Sequence, residues 1–211
     1  MNRFDPLRMT ALTGLLLLSG CGNGPVGETS NIEIRALNMD LGTLAQKRKC
    51  TFLDTYSILL GNNGRPLVFF YQPDGEHLSE LGYLRWADSQ LAPYLKAHHL
   101  GCVAMVGDSI TRRVSAVKVD NGTREATWDD LLGIKVYNLG VDGETSADVV
   151  ARLDSIIKPD AECYFLMIGN NDLHADLPAS QVIANVETII ATLATRTGRP
   201  VVVQAVMPLL R

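Results

Sequence analysis

The pattern of apolar and polar positions alternates between two periods from about residue 32 onward. Leu37, Leu41, Leu44 and Ala45 recur at helical spacing, and CTFLD (50–54) follows as a short strand. A long loop, GNNGRPLVFFYQPDGEH, leads into a second helical stripe through Leu81, Leu84, Leu91 and Leu95. CVAMV (102–106) reads as a strand breaking at Gly107, with a helix starting near Ser109. Trp128, Leu131 and Leu132 suggest a helical piece before the strand KVYN (135–138). Val149, Val150, Leu153, Ile156 and Ile157 place a helix over 145–157. ECYFLMI (162–168) is a nearly unbroken apolar run, as expected of a strand covered on both faces. A helix opened by Pro178 spans 178–197, and PVVVQAVM (200–207) is the last strand.

Five strands separated by helices predict an α/β domain, a parallel sheet with helices on both sides. Sites in such sheets gather at the carboxyl ends of the strands. The first residues differ in character. Arg3 and Arg8 precede an apolar run, Met9 to Leu18, too short to span a bilayer as a mature helix, which ends in LLSGC. That arrangement resembles a bacterial lipoprotein signal over 1–20, with Cys21 as the lipidated residue. Residues 21–31 then read as a flexible, Gly-rich tether, and 32–211 as one domain.

Composition changes this picture little. With 46% hydrophobic and 20% charged residues and a net charge of -4, 211 residues suffice for one well-cored domain. The acidic balance gives no basic surface for nucleic acid. Cys50, Cys102 and Cys163 lack metal-ligand spacing. Cys102 and Cys163 each open a strand, so a disulfide and a pair of free thiols are both open readings.

Four short pieces carry candidate chemistry. GDS (107–109) puts Ser109 at a strand-to-helix turn. NLGVDGETS (138–146) supplies Gly143, whose backbone N–H has no side chain in the way. GNND (169–172) supplies Asn171, an amide donor for an oxyanion. DGEH (74–77) pairs Asp74 with His77, suited to an Asp that orients a general base. Each alone is an ordinary turn. Together they make a nucleophile, a base, its orienter and three oxyanion donors, the set required for acyl transfer.

These pieces and their flanks, VAMVGDSIT, YNLGVDGETS, LMIGNND and DGEHLSELGYLRWADSQLAPYL, resemble the four blocks of the SGNH (GDSL) hydrolase family. The resemblance implies a three-layer α/β/α, flavodoxin-like fold with a five-stranded parallel sheet. It also implies a serine esterase acting on short-chain acyl or O-acetyl esters without a cofactor or metal. Ser109, His77 and Asp74 would be catalytic, and Ser109, Gly143 and Asn171 would form the oxyanion hole.

The order of the blocks departs from the family, which places DxxH last. Here IEIRALNMDLGTLAQKRKCTFLDTYSILL (32–60) and DGEH precede the serine block. Joining Arg211 to about Asn31 restores the usual order, so the chain resembles a circular permutant. The expected strand order is 135–138, 102–106, 162–168, 200–207, 50–54. The expected partners are a small-molecule, lipid or glycan ester and, through Cys21, a membrane of the bacterial envelope; oligomeric state is left open. Two other readings stand beside the esterase. One is a non-catalytic envelope lipoprotein that binds through the same fold. The other is a metal-dependent phosphoesterase using Asp, Asn and a nearby His174.

Overall fold

A computed structural model of the protein describes residues 26–112, 117–119, 124–126 and 128–210. The expected signal segment 1–20, Cys21 and residues 22–25 lie outside the described residues. Helix α1 spans Val26–Arg48, so the later part of the expected tether, 26–31, is helical. Strands β1 (Thr51–Leu53), β2 (Cys102–Gly107), β5 (Lys135–Gly140), β6 (Cys163–Met167) and β7 (Val201–Gln204) form one sheet. Its order is β5-β2-β6-β7-β1, as the family resemblance implies, and every pairing is parallel, as the sequence pattern predicts. A separate antiparallel pair, β3 (Val117–Val119) and β4 (Arg124–Ala126), lies between β2 and β5 in the chain.

Alternate residues of the central strands feed two cores, which is why those strands read as continuous apolar runs. On one face Tyr164, Leu166, Ala104, Val201 and Val203 meet Leu37, Leu41 and Leu44 of α1. Val149, Leu153 and Ile156, from α5 (Ser146–Ala151) and α6 (Leu153–Ile156), join that core. So do Val182, Val186, Ile189 and Leu193 of α8 (Ala179–Thr197). On the other face Val103, Met105, Cys163, Phe165 and Val202 meet Tyr83, Trp86, Leu91 and Leu95. These come from α2 (Glu80–Trp86), a π turn at Ala87–Leu91, and α3 (Ala92–Ala97). Trp86 and Trp128 are fully buried there with ring centroids 4.9 Å apart, so both are core residues.

Local departures from the expected elements have identifiable causes. The expected helix over 81–95 carries a π turn because Pro93, inside it, has no N–H to give the preceding turn. The expected helix over 145–157 breaks at Arg152, whose guanidinium reaches back to Glu144 and to the Leu139 carbonyl. Register decides the cysteines. Cys163 pairs with Val103, so Cys102, one residue earlier, presents its side chain to the opposite face. Cys50, Cys102 and Cys163 are all free thiols, and burial pushes Cys163 up to about 12. Among the described residues no helix is long and apolar enough to cross a membrane.

Candidate active site

Every candidate residue sits on the carboxyl side of the sheet. Ser109 opens α4 (Ser109–Arg112) directly after β2. Gly143 lies on the turn between β5 and α5. Asn171 lies in α7 (Asn170–His174), after β6. Asp74 and His77 belong to the long loop that follows β1. Residues far apart in the chain therefore converge because parallel strands all end at one edge.

The serine turn is held by close packing. A Cβ on Gly107 would lie 2.2 Å from Thr111 Oγ1 and 2.5 Å from the Met167 carbonyl. One on Gly140 would lie 2.3 Å from the backbone nitrogen of Arg112, so β5 seats α4 directly. Asp108 is 2% exposed, and its Oδ1 accepts the Ile110 N–H at 2.9 Å, bracing the turn. Burial pushes the Asp108 carboxyl up to about 7, helped by the negative charges of Glu76 and Asp172.

His77 lies between the other two members of its triad. Its Nε2 is 2.9 Å from Ser109 Oγ, and its Nδ1 is 2.8 Å from Asp74 Oδ2. The second Asp74 oxygen accepts the backbone N–H groups of Glu76 and His77, each at 2.9 Å. Partial burial of Asp74 raises its pKa, but these two N–H groups and the His77 ring together outweigh it and hold the carboxyl at about 2. An ionised Asp74 requires the proton on Nδ1, which leaves the Nε2 lone pair facing the serine hydroxyl.

The oxyanion candidates are locked to one another. Asn171 Nδ2 donates to the Glu144 carbonyl at 2.8 Å, next to Gly143. Glu144 is pinned in turn by Arg152, Nε to Oε1 at 2.5 Å and Nη2 to Oε2 at 2.6 Å. The fully buried Asp172 accepts the Ser146 N–H at 2.9 Å and its hydroxyl at 2.5 Å. Thr145 caps α5 in a reciprocal capping box with Asp148. Gly143 has φ +76° with open space where a side chain would go. Its requirement for glycine is thus conformational rather than steric. The backbone N–H groups of Ser109 and Gly143 have no acceptor among the described residues.

The structure puts Asp74, His77 and Ser109 in direct contact and Asn171 against the carbonyl next to Gly143, with all five at the carboxyl side of the sheet. Sequence reasoning missed Glu144 and Arg152 behind the Asn171 amide, Ser146 on Asp172, and Glu76 on Asn170. None has a motif; Glu144, Ser146 and Glu76 lie inside blocks already singled out, whereas Arg152 lies in the helical segment that follows one. His174 is exposed, and its Nδ1 lies 3.6 Å from Glu76 Oε1. His98 ends α3, ahead of the amino end of β2, and packs on Tyr94 with ring centroids 4.1 Å apart. Among the described residues no three His, Cys, Asp or Glu side chains converge as metal ligands.

A model of the GDSL-like lipase/acylhydrolase family matches residues 105–211, half of the chain. The chain belongs to the GDSL-like lipase/acylhydrolase family. The matched segment of this GDSL-family chain contains Ser109, Gly143 and Asn171, and DGEH lies outside it, upstream. Solved structures similar to it include a candidate platelet activating factor from Streptococcus pneumonia. That likeness has 20% identity and a TM-score of 0.39, over 59% of this chain and 51% of the other. AlinE4, described as an SGNH-hydrolase family esterase, has 22% identity and a TM-score of 0.38 over 48% and 57%. A protein described as a possible lipase from Chitinophaga pinensis DSM 2588 has 22% identity and a TM-score of 0.36 over 49% and 47%. The GDSL-family chain thus spans about half the length of each. Comparison with curated proteins gives no match.

Proposed function

We propose that this GDSL-family protein is a serine esterase working through an acyl-enzyme. The observation that carries the reading is the chain of contacts Asp74–His77–Ser109, at 2.8 and 2.9 Å, assembled from loops 32 positions apart. His77 Nε2 takes the Ser109 proton as Oγ attacks the acyl carbon. Asp74 holds the imidazole and stabilises the imidazolium that forms. The carbonyl oxygen, now an oxyanion, meets the Ser109 and Gly143 N–H groups and the second N–H of the Asn171 amide. His77 then protonates the leaving alkoxide, and a water deprotonated by the same imidazole releases the acid. The substrate proposed is a carboxylic ester with a short acyl chain or O-acetyl group, on a small molecule, lipid or glycan.

The proposed architecture is a circular permutant of the family arrangement. Its support is that DGEH lies upstream of the matched segment yet its His77 reaches Ser109. Two side-chain clasps also join α1 to the last described residues: Asn31 to Leu209 and Asn38 to Val206. Lipidation at Cys21 and an envelope location remain proposals carried by the LLSGC segment alone. Since Asn31 touches the arm that contacts the His77 loop, such an anchor would hold the catalytic face near the membrane.

A serine-directed fluorophosphonate tests the nucleophile directly. Mass mapping should find the adduct on Ser109, and none on the Ser109→Ala protein. A folded wild type that resists the reagent would favour the binding-lipoprotein reading instead.

A further inference from the structure

The loop bearing the catalytic base is shaped by bonds within itself and tied to the final arm through the Gly75 carbonyl, which accepts the Leu210 N–H at 2.8 Å. Within it Gln72 N–H donates to the His77 carbonyl at 2.7 Å and Gly75 N–H to the Gln72 carbonyl at 2.9 Å. Gln72 Nε2 donates to the Leu78 carbonyl at 3.0 Å. The internal bonds shape the turn, and the bond to Leu210 ties it to the final arm; neither joins it to the turn that presents Asn171. Glu76 does. Its Oε1 accepts Asn170 Nδ2 at 2.8 Å, a contact between residues 94 positions apart. The Glu76 side chain is 16% exposed, while that of Asp74, two residues earlier, is 41% exposed. The loop thus turns Glu76 inward beside the triad.

Asn170 is a buried residue on the first turn of α7, directly before Asn171. Its Oδ1 has no hydrogen-bond partner among the described residues, so the bond to Glu76 orients its amide. His174, one turn along the same helix, lies 3.6 Å from the same carboxylate oxygen. Glu76 also acts electrostatically on Asp108, which immediately precedes the nucleophile.

We propose that Glu76 is a positioning residue: by accepting from Asn170 it holds the His77 loop in register with the turn that presents Asn171. This role rests on the esterase reading of His77, Ser109 and Asn171. The base and the oxyanion donors come from separate loops, and both must meet one tetrahedral centre. A misplacement of about 1 Å in such machinery can cost on the order of 10²-fold in rate. The bond to a charged acceptor is of the stronger kind.

The test compares Glu76→Ala, Glu76→Gln, Asn170→Ala and the Glu76→Ala/Asn170→Ala double variant, each checked by thermal unfolding. Ester hydrolysis and the rate of Ser109 labelling by a fluorophosphonate are both measured. Glu76→Ala should lower kcat by about 10- to 100-fold with KM little changed, the size expected when a charge-assisted bond is lost from a transition-state array. Glu76→Gln should lose clearly less than Glu76→Ala, because its amide oxygen still accepts from Asn170 though without the charge. Asn170→Ala should resemble Glu76→Ala, and the double variant should be no worse than the poorer single one. Wild-type kcat in folded Glu76→Ala, a Gln variant as poor as Ala, or losses that multiply would each overturn the proposal. A wild type that is labelled at Ser109 at the same rate as Glu76→Ala overturns the Glu76 role alone. A wild type neither labelled nor active overturns the esterase reading, and the Glu76 role with it.

Discussion

Leu210 donates its backbone N–H to the carbonyl of Gly75 at 2.8 Å, tying the last described residues to the turn that carries Asp74 and His77. The arm that follows β7 is buried nearly throughout. The Tyr71 hydroxyl donates to the Pro208 carbonyl at 2.7 Å, and Thr55 donates to the Ala205 carbonyl. Asn31 holds both backbone groups of Leu209, its Nδ2 donating to the carbonyl at 2.7 Å and its Oδ1 accepting the N–H at 2.9 Å. The first helix, the final arm and the loop bearing Asp74 and His77 therefore form one connected unit.

Removing that clasp should be costly. Asn31→Ala leaves two buried backbone groups of Leu209 without partners, at about 1–3 kcal/mol each. We expect a loss of roughly 2–4 kcal/mol in urea unfolding, a sum of those two penalties with some relaxation. An unchanged midpoint would mean that the arm is not held through Asn31.

Asp74→Asn should leave the fold intact and the chemistry poor. An amide can no longer enforce the Nδ1–H tautomer, so Nε2 would not face Ser109 with its lone pair. The expected loss in kcat is on the order of 10⁴, by analogy with the same change in a serine-protease triad. Steady-state kinetics at saturating ester measures it.

Asn171→Ala tests the oxyanion hole. It should lower kcat by about 10²–10³ with a smaller change in KM, since the donor acts mainly on charge developed in the transition state. The Asn171 amide also donates to the Glu144 carbonyl, so a parallel unfolding measurement separates structural from catalytic loss.

Asp108 predicts a pH dependence of stability. Its folded pKa, pushed up to about 7 mainly by burial, lies above the ordinary 3.8. Between those values the folded protein binds the extra proton, so this group stabilises the fold in acid. That contribution falls as pH rises from about 4 towards 7 and is gone above it. Asp74 has the opposite sign: held at about 2, it favours the fold above its ordinary 3.8 and loses that contribution as pH falls through 2. Asp108→Asn should therefore flatten the decline between pH 4 and 7 in urea unfolding. An identical slope in wild type and variant would remove Asp108 as its source.

Much of this was legible in the residues. CYFLM (163–167) reads as a doubly covered strand because both its faces are apolar, and both are buried. The strand order was legible only through the family resemblance carried by the blocks around Ser109, Gly143, Asn171 and His77, and the sheet has that order. What escaped depends on contacts that no local pattern encodes. The break at Arg152 is imposed by a carboxylate eight residues earlier. The separation of Cys102 from Cys163 is a matter of register by one residue. Glu76 looks like a solvent-facing loop residue until Asn170 is placed beside it. Residues 26–31, Gly- and Ser-containing and lacking a strong apolar stripe, read as a tether yet continue α1.

The most direct measurement is hydrolysis of p-nitrophenyl esters from acetate to palmitate by the wild type beside Ser109→Ala and His77→Ala. The proposed serine mechanism requires wild-type turnover that is strongest on the short esters, with both variants reduced by several orders of magnitude while still folded. Turnover that survives intact in Ser109→Ala would contradict it.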